Sequence, residues 1–502
     1  MGACFYRKKW IEISKNNNID HGKLKKLSRQ VAYSFLDYYF KNCSYKKEYI
    51  DLLCEMSTFS KKPLLAAPGA NALFGIIVES LCDDFEVLQT ETYNRVMAQV
   101  ISYCCKITEG SMLNICLNNF GISSYDDILN RTKKIRKNGN FLTPEKKIKK
   151  IILLSRVTIG ADIAITSVIV QRLLQIFSDI KIVIIGGSKL KEVYGGNKRI
   201  QIRETGYSRR GGLLERLSIW HIILQIIEQE SKGYTRDEVV LIDPDSRLSQ
   251  LGVLPLVEPD HYFFFDSRSD ISLDKNVSMP ELTNMWFDRL TGKKGFCYPR
   301  VWIPEAFLAK AAIFCRQLRE NNVKKIISIN FGVGGNSRKS VGRRFEENLL
   351  LELLKTPGTL ILLDKGYGDE ETKHTDLLIN AVQAMGFPAK NAEINTPVAP
   401  GFNNGIIAVR TTIGEMAALL ANSDEYIGYD SACQHIGAAL CIPCLTIFAG
   451  SNNIRFIRRW SAHGQNQCNI VHVDTLTDRS LIDTDDIITR IMHVRDTYLS
   501  IV

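Results

Sequence analysis

From residue 150 onward, short uninterrupted apolar runs end in turns and lead into helical patterns, repeatedly. Ile151–Ser155, Lys181–Ile185, Val239–Ile242 and Tyr262–Phe265 form a first series. Lys325–Asn330, Thr359–Leu363, Glu425–Asp430 and Leu445–Phe448 form a second. A strand with one wet face alternates polar and apolar residues. These runs do not, so both faces must be covered, as in a parallel sheet between helices. Helical patterns fall between them: Val168–Phe177, Leu213–Ile227, Arg344–Lys355, Glu371–Met385, Thr412–Ala421 and Ser431–Leu440. Thr412 and Glu415 stand at capping-box spacing. The alternation restarts near residue 324. The expectation is an α/β protein with two successive Rossmann-like β/α domains, residues 151–322 and 323–502. Facing each other, they would leave a cleft at the C-terminal ends of the strands, where open α/β sheets take ligands.

Residues 1–130 read differently. Leu27–Phe40, Tyr45–Met56 and Glu91–Cys105 mix apolar and polar positions at helical spacing, which predicts a mostly helical N-terminal domain. Residues 131–150 carry nine basic side chains and one acid, Glu145, and read as an exposed basic connector. A chain of 502 residues suits such a three-part division at ~150 residues per domain.

Charge separates the parts further. The chain has 64 Lys+Arg against 54 Asp+Glu, net +10. Residues 1–150 hold 24 basic and 15 acidic side chains; residues 151–502 hold 40 and 39. A nearly neutral β/α region argues against a nucleic-acid groove running across the protein. The 13 cysteines show no small-scaffold spacing, and the first residues lack the apolar core of a signal peptide. A cytoplasmic location is the expectation. The most apolar stretch, Pro63–Val78, falls short of the ~20 residues of a membrane span and reads as buried or interfacial.

Three strand-to-helix loops carry candidate chemistry. Gly332–Lys339 follows a strand, so its amides can approach a phosphate, with Arg338 and Lys339 adding charge. It is neither a Walker loop nor a dinucleotide fingerprint, and a flexible turn with a solvated basic pair is the plain alternative. In Asp430-Ser-Ala-Cys-Gln-His435 a strand ends and a helix begins. Ser431 there is an N-cap, or its neighbouring amides hold a diphosphate. His435 faces the same ligand or is a hydrogen-bonded core histidine. Asp162, after the first strand, is a helix cap or a general base. Cys441-x-x-Cys444 has redox spacing, but its place at a helix-to-strand turn suits small apolar side chains better. Asp243-Pro-Asp245-Ser-Arg247 positions substrate or turns the chain. The eight histidines show no metal-ligand spacing.

Together these loops resemble a known family. Asp430-Ser-Ala-Cys-Gln-His435-Ile-Gly-Ala-Ala-Leu-Cys-Ile-Pro443, followed by Phe448-Ala-Gly450, is similar to the C-terminal signature of the ADP-heptose:lipopolysaccharide heptosyltransferases, glycosyltransferase family 9. Thr412–Leu420 resembles the helix before that signature. Ile329-Asn330 with Gly332–Lys339 resembles the family's strand and phosphate loop, and Leu154–Asp162 its opening strand and Gly-Asp turn. The blocks match in order over about residues 151–465; residues 1–150 resemble nothing recognised. The resemblance implies the two-domain GT-B fold, a nucleotide sugar on the C-terminal domain and the acceptor on the preceding β/α domain. It implies inversion without a metal or other cofactor. Asp162 then matches the general base. Gly334, Gly335, Asn336, Ser337, Arg338 and Lys339 match the phosphate loop, and Glu370 or Glu371 the ribose ligand. Asp430, Ser431, Ala432, Cys433 and His435 match the diphosphate turn. The chain departs from the family at Gly160-Ala161-Asp162, which carries one extra residue, and at Ala432 and Cys441, which replace glycines. Heptose and lipopolysaccharide are therefore not carried over.

The expected function is transfer of a sugar from a nucleotide-diphosphate donor to the hydroxyl of a glycan, a lipid-linked glycan or a protein. Rivals are an NAD-dependent or sugar-modifying Rossmann enzyme, which would need a full glycine fingerprint, and a non-catalytic scaffold of the same fold. The basic N-terminal region is expected to dock on an anionic surface, the inner face of a membrane or a protein partner, with a solvated linker as the alternative.

Overall fold

The computed structural model describes residues 2–15, 19–60, 62–82, 85–137, 139, 141–143, 147–207, 211–268, 277–395 and 400–499. The β/α pattern is realised as two sheets. One comprises β1 (Lys150–Leu154), β2 (Lys181–Gly186), β3 (Ile200–Glu204), β4 (Val239–Asp243) and β5 (Tyr262–Phe264), in the order β3-β2-β1-β4-β5. The other comprises β6 (Lys325–Asn330), β7 (Thr359–Asp364), β8 (Ala389–Ala392), β9 (Gly405–Val409), β10 (Glu425–Tyr429), β11 (Cys444–Ala449) and β12 (Cys468–Val473). Its order is β12-β11-β10-β6-β7-β9-β8, and every neighbouring pair is parallel. β1, β4, β9, β10 and β11 are buried along their whole length, as their unbroken apolar runs require.

The chain divides into two compact units. The first holds residues 1–157, 183–187 and 203–275. Its helices His21–Asn42, Lys47–Thr58 and Val87–Cys104 bury Val31, Phe35, Ile50, Leu53, Met97 and Val100 in one continuous core with Ile152, Leu154, Leu241 and Phe264 of the sheet. Pro63–Val78 lies in this unit as a helix whose last six residues are π-helical, with Leu73, Phe74, Ile77 and Val78 buried.

The basic stretch 131–150 differs from the expected exposed connector where it is described; 138, 140 and 144–146 lie outside the described residues. Arg131–Arg136 ends the helix Tyr125–Arg136, and two of its arginines pack inward. Arg131 lies 4.9 Å over the Tyr262 ring and donates to the Gly252 carbonyl at 2.9 Å. Arg136 stacks on Phe264 and pairs with Asp266. Lys150 is the first residue of β1 and reaches Glu230 at 2.9 Å. Aromatic faces and carbonyls at the sheet's end let these charges be buried, which a count of charges does not show.

The Asp243–Arg247 turn is also structural. Asp245 is fully buried; burial alone would raise its pKa, but Arg268 and Arg156 pull it down to about 2. Arg268 grips it with two hydrogen bonds of 2.6 and 3.1 Å. Asp243 accepts from the Ser246 amide at 2.7 Å and from the Ser249 and Tyr262 hydroxyls.

The second unit holds residues 158–182, 188–202 and 276–502. Its core gathers Ile327, Ile329, Leu349, Leu353, Ile361, Leu363, Ile427 and Ile447 around the seven-stranded sheet. Among the described residues one helix, Ile159–Ile176, is long and apolar enough to cross a membrane; 67% of it is buried inside the protein, as in a core helix.

Candidate active site

Strands β6, β7 and β10 end at one edge of the second sheet, and the loops after them line a cavity of about 750 Å³. Asn330 and Asp364, the last residues of β6 and β7, line it. Gly332, Gly334, Gly366, Tyr367, Gly368, Glu371 and Ser431 follow, with Lys189 and Glu192 from the segment after β2. The volume suits a small-molecule ligand.

The glycine loop after β6 turns through Gly334 and Gly335, with φ of 59° and 80°, a region open to glycine at little cost. It continues as a 3₁₀ turn, Ser337–Lys339, where the Asn336 side chain accepts from the Arg338 amide at 3.2 Å. Glu371, in the first turn of helix Asp369–Ala384, reaches back to this loop. It accepts from the amides of Val333 at 3.1 Å and Gly334 at 3.2 Å, and from Tyr367 at 2.7 Å.

After β10, Ser431 caps the helix Ala432–Ala439 by accepting from the Cys433 amide at 3.3 Å. Asp430 pairs with Lys339 and accepts from Gln434 at 2.6 Å, tying the two loops together. Gly450 explains the third block of the signature. A Cβ there would press on the backbone of Arg338 and Lys339 at 2.9–3.0 Å, and its φ is +79°. Thr475 completes that junction, accepting from the Gly450 amide at 2.9 Å and donating to the Arg338 carbonyl at 2.6 Å.

His435 is buried, and burial, with Lys339 adding to it, pushes its pKa down to about 4. Its Nδ1 is buried with no hydrogen-bond partner. The Gly160 turn packs against this helix: a Cβ on Gly160 would sit 3.1 Å from the His435 ring and 3.3 Å from the Ala432 Cα. The extra residue of Gly160-Ala161-Asp162 coincides with a π-helical segment, Asp162–Thr166. A π turn closes its hydrogen bonds one residue later than an α turn, so it absorbs one residue without breaking the helix. Asp162 is fully buried. Its Oδ1 accepts from the Thr166 hydroxyl at 2.8 Å, and its carbonyl from the Tyr194 hydroxyl at 2.7 Å.

Gly334, Glu371, Ser431, Ala432 and Cys433 thus line the cavity directly. Lys339, Asp430, His435 and Asp162 are outside the lining, and Gly335, Asn336, Ser337 and Arg338 are exposed and outside it too. The sequence reading passed over Asp364, Lys189, Glu192 and Tyr367. Asp364 accepts from Asn330 at 2.6 Å and from the Gly366 amide at 3.2 Å, and burial pushes its pKa up to about 6. Its signal was its place as the last residue of an interior strand. Lys189 stacks over Tyr367 at 4.5 Å, and Glu192 accepts from the Gly414 amide at 2.8 Å. Both contacts bridge residues over 170 positions apart, with no local signal.

Residues 379–479 match the profile of glycosyltransferase family 9 (heptosyltransferase), a segment that includes Asp430–His435 and Gly450. The C-terminal part of the chain is therefore similar to glycosyltransferase family 9. Among solved structures, the chain resembles a family 9 glycosyl transferase from Veillonella parvula at 14% identity and a TM-score of 0.50, over 70% of this chain and 97% of that one. ADP-heptose lps heptosyltransferase II of E. coli gives 12% and 0.45, over 68% and 98%. The E. coli heptosyltransferase WaaC, solved with ADP, gives 12% and 0.45, over 68% and 99%. The first of these likenesses shows a shared fold. No curated protein matches the chain. Its two departures from the family's glycines are unlike in consequence. Ala432 is the first residue of a helix and has ordinary φ, whereas Cys441 is held at φ 59°, in the left-handed region.

Proposed function

We propose that the protein transfers a sugar from a nucleotide-diphosphate donor to an acceptor hydroxyl, with inversion and without a metal. One observation carries the reading. The glycine loop after β6, the Glu371 helix after β7 and the Ser431-capped helix after β10 converge on a single cavity of about 750 Å³. A departing nucleoside diphosphate develops negative charge, and the amides at the two helix starts, backed by Lys339, can stabilise it. The positions matched by resemblance keep their proposed roles: the loop Gly334–Lys339 and the turn Asp430–His435 hold the diphosphate, Glu371 the ribose, and Asp162 the acceptor proton. Lys189 and Glu192 bring residues from the first β/α half of the sequence to the cavity, which supports acceptor and donor meeting there. For Asp162 to act, its carboxylate must exchange the Thr166 hydroxyl for the acceptor hydroxyl.

A screen of nucleotide sugars for donor hydrolysis and transfer by the purified protein tests this, with chelator in a parallel series. Turnover is expected with at least one donor and unchanged by the chelator. Asp162→Asn should lower transfer by ~10²-fold or more while donor affinity holds. Normal turnover in that variant removes Asp162 from the role. The full burial of Asp162 favours a second reading, a nucleotide-binding scaffold that has lost transfer; donor binding without turnover over the whole screen would select it.

We further propose a cytoplasmic protein whose basic N-terminal helices dock on an anionic membrane. Lys8, Lys9, Lys23, Lys25 and Lys26 are exposed there. Changing them to glutamate should abolish sedimentation with phosphatidylserine vesicles; unchanged sedimentation, or none by the wild type, defeats the idea.

A further inference from the structure

The Glu371 carboxylate sits where an anion would. Three backbone N–H groups from two loops, those of Val333, Gly334 and Tyr367, donate to its two oxygens. Glycines shape the space around it. A Cβ on Gly366 would overlap Oε2, and one on Gly332 would stand 3.1 Å from it. Gly334 and Gly366 have φ of 59° and 69°, which lets both loops turn around the carboxylate. Converging amides in glycine-bearing turns form a concavity suited to a phosphate. This one opens on the cavity, whose lining includes Gly332, Gly334, Gly366, Tyr367 and Glu371 itself.

We propose that Glu371 is an internal anion, which holds the two loops together in the ligand-free protein and is exchanged for a phosphate of the donor. The proposal rests on the nucleotide-sugar reading above. A carboxylate and a phosphate cannot share these amides, because both are acceptors and like-charged at contact distance. Entry of the phosphate therefore ejects the side chain, whose oxygens then become free to accept from hydroxyls of the same ligand. No bond is made or broken. Glu371 is a positioning residue: it keeps the empty pocket shaped for phosphate, at some loss of donor affinity.

Hydrogen exchange and calorimetry on the full chain test the exchange, using ADP, GDP, CDP and UDP, and the nucleoside of the tightest binder. In Glu371→Ala the amides of 333, 334 and 367 should lose protection. The nucleoside diphosphate should restore it, and the bare nucleoside should not. Glu371→Gln should bind the nucleoside diphosphate several-fold more tightly than the wild type, with no gain for the nucleoside. Binding to Glu371→Ala without restored protection overturns the proposal, as does weaker nucleoside diphosphate binding by Glu371→Gln. Should Glu371→Ala fail to fold, the Glu371→Gln affinity decides alone. If the wild type binds none of the four diphosphates, the donor reading itself falls, and the exchange with it.

Discussion

His435 shows how burial decides the behaviour of a single residue. Its folded pKa of about 4 lies below the ordinary 6.5. Between those values the unfolded chain takes up a proton that the folded chain refuses. Stability is therefore intact above about pH 6.5 and falls as pH drops toward 4, by up to ~3 kcal/mol. Urea midpoints measured from pH 7 to 4.5 should fall more steeply in the wild type than in His435→Gln; parallel curves would contradict the assignment. Cys441 gives a second residue-scale expectation. A non-glycine residue at φ 59° carries about 1 kcal/mol of backbone strain. Cys441→Gly should raise the urea midpoint modestly, and a lowered midpoint would show that the thiol's packing outweighs the strain. The sequence comparison marked Ala432 and Cys441 equally as departures. Only backbone dihedral angles separate them, and these belong to the folded turn.

At the scale of elements, the apolar runs predicted β6 at its observed bounds and β1, β2, β4, β5, β7, β10 and β11 to within a residue or two. They missed β3, β8 and β12, which are short or partly exposed, so their residues carry no continuous apolar signal, and they also missed β9, although all five of its residues, Gly405–Val409, are buried. The helix Thr484–Leu499 was also passed over. Its Ile487, Ile488 and Ile491 join the core, and a buried ion pair fastens it further: Arg495 donates twice to Glu425 on β10, each bond 2.7 Å, and Lys325 on β6 adds a third contact at 2.8 Å. Glu425 is fully buried and its pKa is lowered: burial works against the charge, and Arg495 and Lys325 overcome it. Arg495→Ala should cost roughly 3 kcal/mol, because it leaves a buried carboxylate short of a partner. Arg495→Lys should recover only part of that, since an ammonium cannot reproduce the two-pronged contact. Chemical denaturation curves of both variants check the order.

On the scale of the whole molecule, the N-terminal helices do not have a core to themselves. Phe35, Leu53 and Met97 share one with Ile152, Leu241 and Phe264 of the five-stranded sheet. Removing residues 1–136 would expose that sheet's face, so the shortened chain should aggregate or show lost near-ultraviolet circular dichroism. A monomeric, cooperatively unfolding product would show that the helices are dispensable. The surplus positive charge of this region is partly structural for the same reason, since Arg131 and Arg136 cover Tyr262 and Phe264.

By itself the sequence determined the two β/α series, because continuous apolar strands between helices have few other places to go. It also marked the loops that are candidates for chemistry, because glycines and a hydroxyl cap at strand ends are local signals. Only the tertiary structure decided what those loops do to one another. Glu371 returns to the Val333 and Gly334 amides, Lys339 pairs with Asp430, and Gly450 makes room for the backbone of Arg338. Lys189 and Glu192 enter the cavity from positions with no local signature. The physical reason is that propensity and periodicity act over a few residues. Burial, charge pairing and close backbone approach are set by whatever the fold brings alongside.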